Sequence, residues 1–253
     1  IILCMIVLSM PGLVLKGEPV SFALPGFLPG VDFAFRVDAL GLIFATTSSC
    51  LWLLVTIYSI GYMRTLKEHA QTRFYFCFAL ALAGAVGIAF ASNLVTLFIF
   101  YELLTISTYP LVIHEESGEA ISAGHKYLAY LLGGGLFLLL AILAVYFLTG
   151  TTDFRAQGIL TGSLDDTSRM VLQVIFFFFM IGFAKAAWMP LHSWLPSAMV
   201  APTPVSALLH AVDVVKAGGF GILRLVCHIH GIELLQLLGL GLALDSIAAF
   251  TIK

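Results

Sequence analysis

The sequence predicts an all-α fold, a polytopic transmembrane helix bundle of about seven to eight spans, from three observations. Hydrophobic residues make up 60% of the 253 residues and charged residues only 10%, whereas soluble domains carry about 25% charged residues. The apolar residues form successive runs of roughly 20, the length of α-helix that crosses a bilayer. Glycine and proline lie within long runs, not between alternating ten-residue segments, which argues against a β-barrel.

The first quarter of the chain predicts one short helix, a loop and one full span. Ile1–Leu15 is too short to cross a membrane, so we expect the chain to begin inside a helix. Lys16–Arg36 is rich in proline and glycine, which predicts a loop. Asp38–Tyr62 is long enough for a span, and Asp38 would place an anion at the positive end of the helix dipole.

The middle of the chain predicts three further spans joined by polar links. Their runs are Phe74–Ala91, Asn93–Ile113 and Ala123–Leu148. Ser92 or Asn93 can cap the second of these helices. Lysines and arginines are almost evenly divided between the two sides, so charge counting does not decide the orientation. Arg64–Arg73 is the densest short basic loop and is therefore placed in the cytoplasm.

The last third predicts a broken helix followed by two more spans. Met170–Val200 is too long for one straight span, and Pro190 should break it because proline removes helix hydrogen bonds. Thr203–Cys227 predicts a span, and Gly231–Ile252 predicts a partial one.

Several function classes find no support in the composition. The net charge of −2 offers no electrostatic footprint for nucleic acid. The four cysteines are scattered without a CxxC spacing, so neither an iron–sulfur cluster nor a metal site is expected. No glycine-rich nucleotide motif is present. We therefore expect no cofactor in this chain.

Three charged residues inside apolar runs are the main functional candidates: Glu102, Lys185 and Lys216. A charge at membrane depth costs about 2.5–3.5 kcal/mol on insertion scales, so it is a functional hypothesis by default. Glu102 and Lys185 are the expected pair, and their balance of burial and pairing would suit a proton relay. The alternatives are a local hydrogen bond that neutralises Glu102 and lysines that extend to the interface.

Two residues near Lys216 could extend this path. His210, Asp213 and Lys216 follow at intervals of three residues, so successive pairs share a helix face. His210 could carry a proton between lysines or could be a packing histidine. Asp213 could line the path or simply neutralise Lys216.

The expected break carries further candidates. Freed carbonyls beside Pro190 can hold water or a cation at membrane depth. His192 would line the path or cap the broken backbone, and Trp188 and Trp194 would form its walls. Lys126 lies close to a helix end, so its position alone predicts an interface lysine.

The sequence closely resembles a family of proton-conducting membrane subunits. The resemblance rests on FAKAAWMPLHSWLPSAMVAPTPVSALLHA followed by VVKAGGFGILR, and on NLVTLFIFYELLTISTYPLV, DALGLIFA and GHKYLAYLLGGG. It covers nearly the whole chain. The family comprises antiporter-like subunits of NADH:quinone oxidoreductase (complex I), Mrp-type cation/proton antiporter subunits and membrane-bound hydrogenase subunits.

The resemblance implies a larger fold of around fourteen helices with two inverted five-helix repeats, each containing a broken helix. This chain would begin in the second helix and end in the ninth. Residues 1–73 would be N-terminal helices and a loop, residues 74–227 the first repeat, and residues 228–253 the start of a further helix. The chain would then hold the uptake half of a proton path.

The resemblance also assigns roles. Glu102 would pair with Lys185, Lys216 would pass the proton onward, Lys126 would join the relay, and His210 would be a polar link. Asp213 departs from this pattern because a small or neutral residue is expected there, and Asp245 interrupts an otherwise apolar helix.

The function expected from these residues and this resemblance is proton translocation in a complex I-related assembly, driven by electron transfer in other subunits. The alternatives are an Mrp-type subunit exchanging Na⁺ for H⁺, which VVKAGGFGILR favours slightly, and a non-conducting scaffold. The expected partners are other membrane subunits, the lipid bilayer, protons and possibly Na⁺, with no nucleic acid. The expected location is the inner (plasma) membrane.

Overall fold

The computed structural model describes residues 2–16, 20–28, 31–163, 168–207 and 213–252. Within these ranges the chain is mostly helical, as the apolar runs predict. Helix α1 (Ile2–Leu15) packs against helix α2 (Ala39–Thr65).

Two antiparallel strands lie where the sequence predicted a loop, so that prediction was wrong. Strand β1 (Ser21–Leu28) pairs with β2 (Val31–Arg36), with Ser21 opposite Arg36. The register shifts between Leu24 and Leu28, the interval that holds Pro25 and Gly26. Proline and glycine are therefore confined to an irregularity, and the other residues keep the extended pairing.

Helices α2 to α5 form the centre of the bundle. Among the described residues, four helices are long and apolar enough to cross a membrane by length and composition. They are α2, α3 (Gln71–Phe90), α4 (Leu94–Val112) and α5 (Gly118–Thr149). Three of them begin at a side-chain cap, because Asp38, Asn93 and Ser117 accept hydrogen bonds from backbone N–H groups in the first turn.

A glycine lets helices α3 and α4 approach closely. A Cβ atom at Gly87 would lie 2.1 Å from Cδ1 of Phe100, so this close contact requires the absence of a side chain. Small residues at a contact are typical of closely packed membrane helices.

The helix is broken around Pro190, as predicted. Helix α6 (Arg169–Gly182) ends eight residues before Pro190, a short 3₁₀ turn, Ala184–Ala186, follows, and the next α-helix begins at Trp194. Pro190 therefore lies within the break, which starts ahead of it. Gly182 lies directly against α5, where a Cβ atom would come within 2.7 Å of Cβ of Leu138. Contact between helices, as well as proline, accompanies the end of α6.

The rest of the chain is made of short elements. They are helices α7 (Trp194–Ala198), α8 (Thr203–Ala207), α9 (Val214–Arg224), a π-helical stretch (Leu225–His230), α10 (Ile232–Leu237) and α11 (Leu240–Ile252). The three spans predicted in this part are thus each divided into shorter elements. The count of seven to eight spans stays a prediction.

The bundle has two distinct ends. At the hairpin end, the strands bond to the α3–α4 turn, where Ser92 N donates to Ala34 O at 3.1 Å and Asn93 Nδ2 donates to Asp32 O at 2.8 Å. The segment after α5 joins this end, since Leu94 N donates to Thr152 O. At the opposite, loop end lie the α2–α3 and α4–α5 connections, residues 66–70 and 113–117.

Candidate functional site

Lys185 is completely buried in the 3₁₀ turn that follows α6. Its Nζ donates to the carbonyl oxygen of Tyr101 at 2.9 Å and lies 3.3 Å from the centroid of the Tyr101 ring. The ring face attracts a cation, which partly replaces the water that an ammonium group loses on burial. The break in the helix thus brings a lysine amine against the middle of α4.

Glu102 follows Tyr101 on α4, and both of its carboxylate oxygens are buried. Neither oxygen makes a hydrogen bond of good geometry to a described residue. The nearby Thr105 hydroxyl donates instead to the carbonyl of Tyr101 at 3.3 Å. Gly135 of α5 leaves room for the carboxylate, because a Cβ atom there would lie 2.3 Å from Oε1 of Glu102.

Glu102 and Lys185 are close enough to interact electrostatically, but they are not in direct contact. No ion pair within 4.0 Å joins them. A cavity of about 520 Å³ borders the carboxylate between α4 and α5. Apart from Glu102, the residues that line this cavity are apolar, and Lys185 is not among them.

Two indole groups satisfy carbonyls around the break. Trp194 Nε1 donates to Ala184 O at 3.1 Å, and Trp188 Nε1 donates to Met180 O at 3.0 Å. Both carbonyls lie near the end of α6, where intrahelical partners are lost. The tryptophans predicted as walls therefore also stabilise the broken backbone.

Lys126 is half-buried and hydrogen-bonded to α7. Its Nζ donates to Ser197 Oγ at 3.0 Å, and Ser197 Oγ donates to Ser193 O at 3.1 Å. Ser193 Oγ donates to Tyr130 OH at 2.8 Å. These groups form a polar ladder between α5 and α7. The interface position of Lys126 and the relay role implied by the resemblance both stay predictions.

Two tyrosines belong to the site, although residue reasoning did not select them. Tyr101 contacts Lys185, and Tyr127 OH lies 2.5 Å from Thr108 Oγ1 while its ring packs edge-on against Trp194. The available signal was position, since each tyrosine is the sequence neighbour of a candidate charge, Glu102 or Lys126.

Lys216 and Asp213 lie in a separate place. Lys216 is exposed at the start of α9 and borders a cavity of about 490 Å³ with residues of α2, including Thr47. Asp213 is buried and interacts with Ser48 of α2. No ion pair within 4.0 Å joins it to Lys216. Asp213 therefore does not form the ion pair that would neutralise Lys216, and the membrane depth expected for Lys216 stays a prediction.

The remaining candidates have mixed positions. His192 is half-buried, and its Nδ1 has no hydrogen-bond partner among the described residues. Pro190 is exposed, as is Asp245 on α11. His210 lies outside the described residues. The structure therefore brings Glu102 and Lys185 together, connects Lys126 to the broken segment, and leaves Lys216 apart.

Arg224 is a buried cation that the sequence analysis did not select. It is 1% exposed at the end of α9 and forms a bidentate ion pair with Asp38 at the start of α2, in which Nη2 donates to Oδ1 at 2.9 Å. Its guanidinium also lies over the rings of Phe154 and Phe220. Burial raises the pKa of Asp38, but the hydrogen bond and charge of Arg224 outweigh it and hold that pKa below its usual value.

Comparison with known families identifies the family of this chain. Residues 91–249 match the family model described as NADH:quinone oxidoreductase/Mrp antiporter, transmembrane region. Residues 29–75 match the model described as NADH-ubiquinone oxidoreductase (complex I), chain 5 N-terminus. The chain belongs to the antiporter-like family of Mrp and complex I subunits. The resemblance read from the sequence is confirmed.

Relatives of the antiporter-like family extend this result. A putative antiporter subunit mnhA2 of Staphylococcus aureus strain MSSA476 is 33% identical over 197 residues, which cover 77% of this chain and 24% of the relative. The same identity and coverage are found for the mnhA2 protein of strain NCTC 8325 / PS 47. The chain thus spans about a quarter of the length of these curated relatives.

Solved structures of related complexes support the helical membrane fold and a multi-pass membrane location. A chain in the Mrp complex of Dietzia sp. DQ12-45-1b aligns with a TM-score of 0.76 and 28% identity, over 93% of this chain and 26% of that one. A chain of an archaeal membrane-bound sulfane sulfur reductase aligns with a TM-score of 0.72 and 26% identity, over 86% of this chain and 44% of that one.

Proposed function

We propose that this chain carries protons through Glu102 and Lys185 as part of an antiporter-like membrane subunit, and that the subunit exchanges Na⁺ for H⁺ in an Mrp-type complex. The family assignment supports the antiporter-like class. The similarity to a putative antiporter subunit and to a chain of the Dietzia Mrp complex supports the Mrp branch.

One observation carries the proposal: Lys185 is fully buried, and its nearest acid, Glu102, is not in contact with it. A structural ion pair at this depth would be expected to close to hydrogen-bond distance, because the desolvation of both charges must be offset. A lysine held beside a carbonyl and a ring can instead gain and lose a proton. Small movements of the break would alter that balance.

The other predicted residues extend the relay in this proposal. Lys126 would hold a proton beside Ser197 at the edge of the broken segment, and His192 would line the break near Pro190. Lys216, His210 and Asp213 would continue the path from α9 towards residues beyond this chain. Residues 74–227 would form the first of two five-helix repeats, preceded by residues 1–73 and followed by residues 228–253.

The test is Lys185→Ala in the full-length subunit assembled in its complex. Everted vesicles would be energised to form a pH gradient, and Na⁺ would then be added while an entrapped pH-sensitive dye is followed. We expect the Na⁺-dependent dissipation of the gradient to fall at least tenfold, since the relay loses its proton carrier. Lys16→Ala is the matched control, because Lys16 is an exposed lysine just after α1 and should leave exchange unchanged. Normal exchange by Lys185→Ala in an assembled complex would refute the proposal.

A second candidate function is proton translocation in a complex I-related NADH:quinone oxidoreductase. The match of residues 29–75 to a complex I model favours it. Proton uptake driven by NADH oxidation, without a response to Na⁺, would select this function in the same vesicles. A complex that assembles but moves no protons under either condition would instead identify a non-conducting scaffold.

The proposed setting includes other membrane subunits as partners. Both structural relatives are chains of membrane complexes. We place the subunit in the inner (plasma) membrane as a multi-pass protein, and we assign no cofactor to this chain.

A further inference from the structure

A cluster of potential metal ligands lies at the loop end, away from the proposed proton path. Glu68 and His69 belong to the α2–α3 connection, and His114 follows the end of α4. One ligand atom from each residue lies within 4.8 Å of the others. We call these three residues the loop-end cluster.

His114 is the residue whose environment calls for a ligand. Its side chain is 0% exposed, yet neither ring nitrogen has a hydrogen-bond partner among the described residues. Nε2 points towards Glu68 and lies 3.8 Å from Oε2, beyond hydrogen-bond distance. Buried polar atoms are nearly always satisfied, so an orphaned imidazole requires an explanation.

The second histidine completes the donor set from the solvent side. The ring of His69 stacks on that of His114 with centroids 4.8 Å apart, and the His69 side chain is 50% exposed. Its Nδ1 lies 4.0 Å from Oε2 of Glu68. Access from solvent is therefore through His69, while Glu68 and His114 form the inner wall.

The charges around the cluster allow a cation to enter. Arg73 is the nearby positive group, and it is paired with Glu116 at 2.8 Å. That guanidinium holds the pKa of Glu116 below its usual value, so the two charges offset each other. A neutral imidazole carries a ring-nitrogen lone pair that can bind a metal ion.

We propose that Glu68, His69 and His114 bind one divalent transition metal ion, with Zn²⁺ the best fit. Two imidazoles and one carboxylate are a Zn²⁺ donor set that leaves a fourth position for water. Ca²⁺ and Mg²⁺ prefer oxygen ligands only, so the histidines disfavour them. A bound ion would tie the α2–α3 connection to the end of α4.

The observed positions need only a side-chain adjustment to reach this geometry. Zn–N and Zn–O distances of about 2.0–2.2 Å place tetrahedral ligand atoms about 3.4 Å apart. The ligand atoms of the cluster lie within 4.8 Å of one another, so the half-exposed His69 ring would have to turn out of its stack on His114. The buried His114 and Glu68 are already at 3.8 Å.

The test uses the full chain purified in detergent and titrated with ZnCl₂ in a non-chelating buffer by calorimetry. We expect saturable binding of one equivalent. His69→Ala and Glu68→Gln should each weaken the affinity at least tenfold. His69 is half exposed, and Glu68→Gln keeps the side-chain volume, so both variants should fold. His125→Ala is the matched control, because His125 is an exposed histidine near the start of α5 and is not part of the cluster.

Three outcomes would overturn the site: no saturable Zn²⁺ binding, unchanged affinity in both His69→Ala and Glu68→Gln, or an equal loss in His125→Ala. At the same concentration, Zn²⁺ should also raise the thermal unfolding temperature of the wild type by more than that of His69→Ala. None of these measurements depends on proton transport, so the metal site and the proposed function stand or fall separately.

Discussion

Two buried cations, Arg224 and Lys185, differ in the partners that surround them. Arg224 has a carboxylate partner in direct contact, two aromatic rings and the carbonyl of Ala89. Lys185 has one carbonyl and one ring, and its acid lies beyond contact. Full compensation is typical of a structural charge, whereas incomplete compensation leaves a group poised to change its protonation. Because both residues are buried, their partners distinguish a structural charge from a proton carrier more clearly than their burial does.

Arg224 should therefore be a stability residue. Arg224→Leu leaves Asp38 without its cation and removes the ion pair between α9 and the start of α2. We therefore expect the free energy of unfolding to fall by about 3 kcal/mol. This value is the lower end of the range for a broken buried pair, because Asp38 is 25% exposed. Thermal unfolding in detergent, monitored by tryptophan fluorescence, measures this loss of stability. Arg155→Leu, at an exposed arginine, should change the unfolding temperature little.

The same pair predicts a pH dependence. The pKa of Asp38 is lower in the folded chain than its usual value, so its contribution is present above an unfolded pKa of about 3.9. It is lost as the pH falls through the lower, folded value. The destabilisation by Arg224→Leu should accordingly be largest near neutral pH and shrink at strongly acid pH. An equal deficit at both pH values would contradict the pairing.

At the scale of elements, the contact between α9 and the 3₁₀ turn that holds Lys185 depends on one glycine. A Cβ atom at Gly218 would lie 2.1 Å from the backbone nitrogen of Ala186, whereas a Cβ atom at the adjacent Gly219 would meet nothing within 4 Å. The two neighbours therefore form a natural test of this packing.

Gly218→Ala should destabilise the fold by about 1–3 kcal/mol, because backbone must move to admit the methyl group. Gly219→Ala should be neutral or stabilise by up to about 1 kcal/mol, the helix preference of alanine over glycine. Thermal unfolding of both variants in one detergent gives the comparison. Similar effects at the two positions would mean that α9 does not pack on the turn as observed.

The sequence could predict elements that depend on local composition. Helices α2 to α4 begin and end within three residues of the predicted runs, since a long apolar run has few alternatives in a membrane. Two charges of the candidate site, Glu102 and Lys185, were equally predictable because such residues are rare at that depth.

What escaped prediction depends on distant contacts. The start of the break coincides with Gly182 meeting Leu138, and the Asp38–Arg224 pair joins residues 186 positions apart. The exposed position of Lys216 likewise follows from how α9 sits against α2, which no local pattern encodes. The strands β1 and β2 were missed because proline and glycine outweighed the extended residues beside them.

For the whole molecule, the two ends of the bundle differ in character. The hairpin end is built from strand pairing and backbone hydrogen bonds, with β1 and β2 joined to the α3–α4 turn. The loop end carries the Glu68–His69–His114 cluster and the ladder that starts at Lys126. Four helices long enough to cross a membrane separate these two ends, so each end should face a different side of the membrane.

This arrangement predicts the outcome of a labelling experiment in a background without the four native cysteines. Ser21→Cys reports on the hairpin end and Glu115→Cys on the loop end, and both positions are exposed. A membrane-impermeant maleimide should label only one of them in right-side-out vesicles and only the other in inverted vesicles. Because the loop end holds the dense basic segment of residues 64–73, positive charge should keep it in the cytoplasm. Ser21→Cys should then react in right-side-out vesicles. Labelling of both cysteines from one side would contradict the separation of the two ends. The reverse labelling pattern would overturn only the predicted orientation, because the helix packing is the same in either orientation. The charges on the two sides are nearly balanced, so the orientation is a separate prediction from the packing.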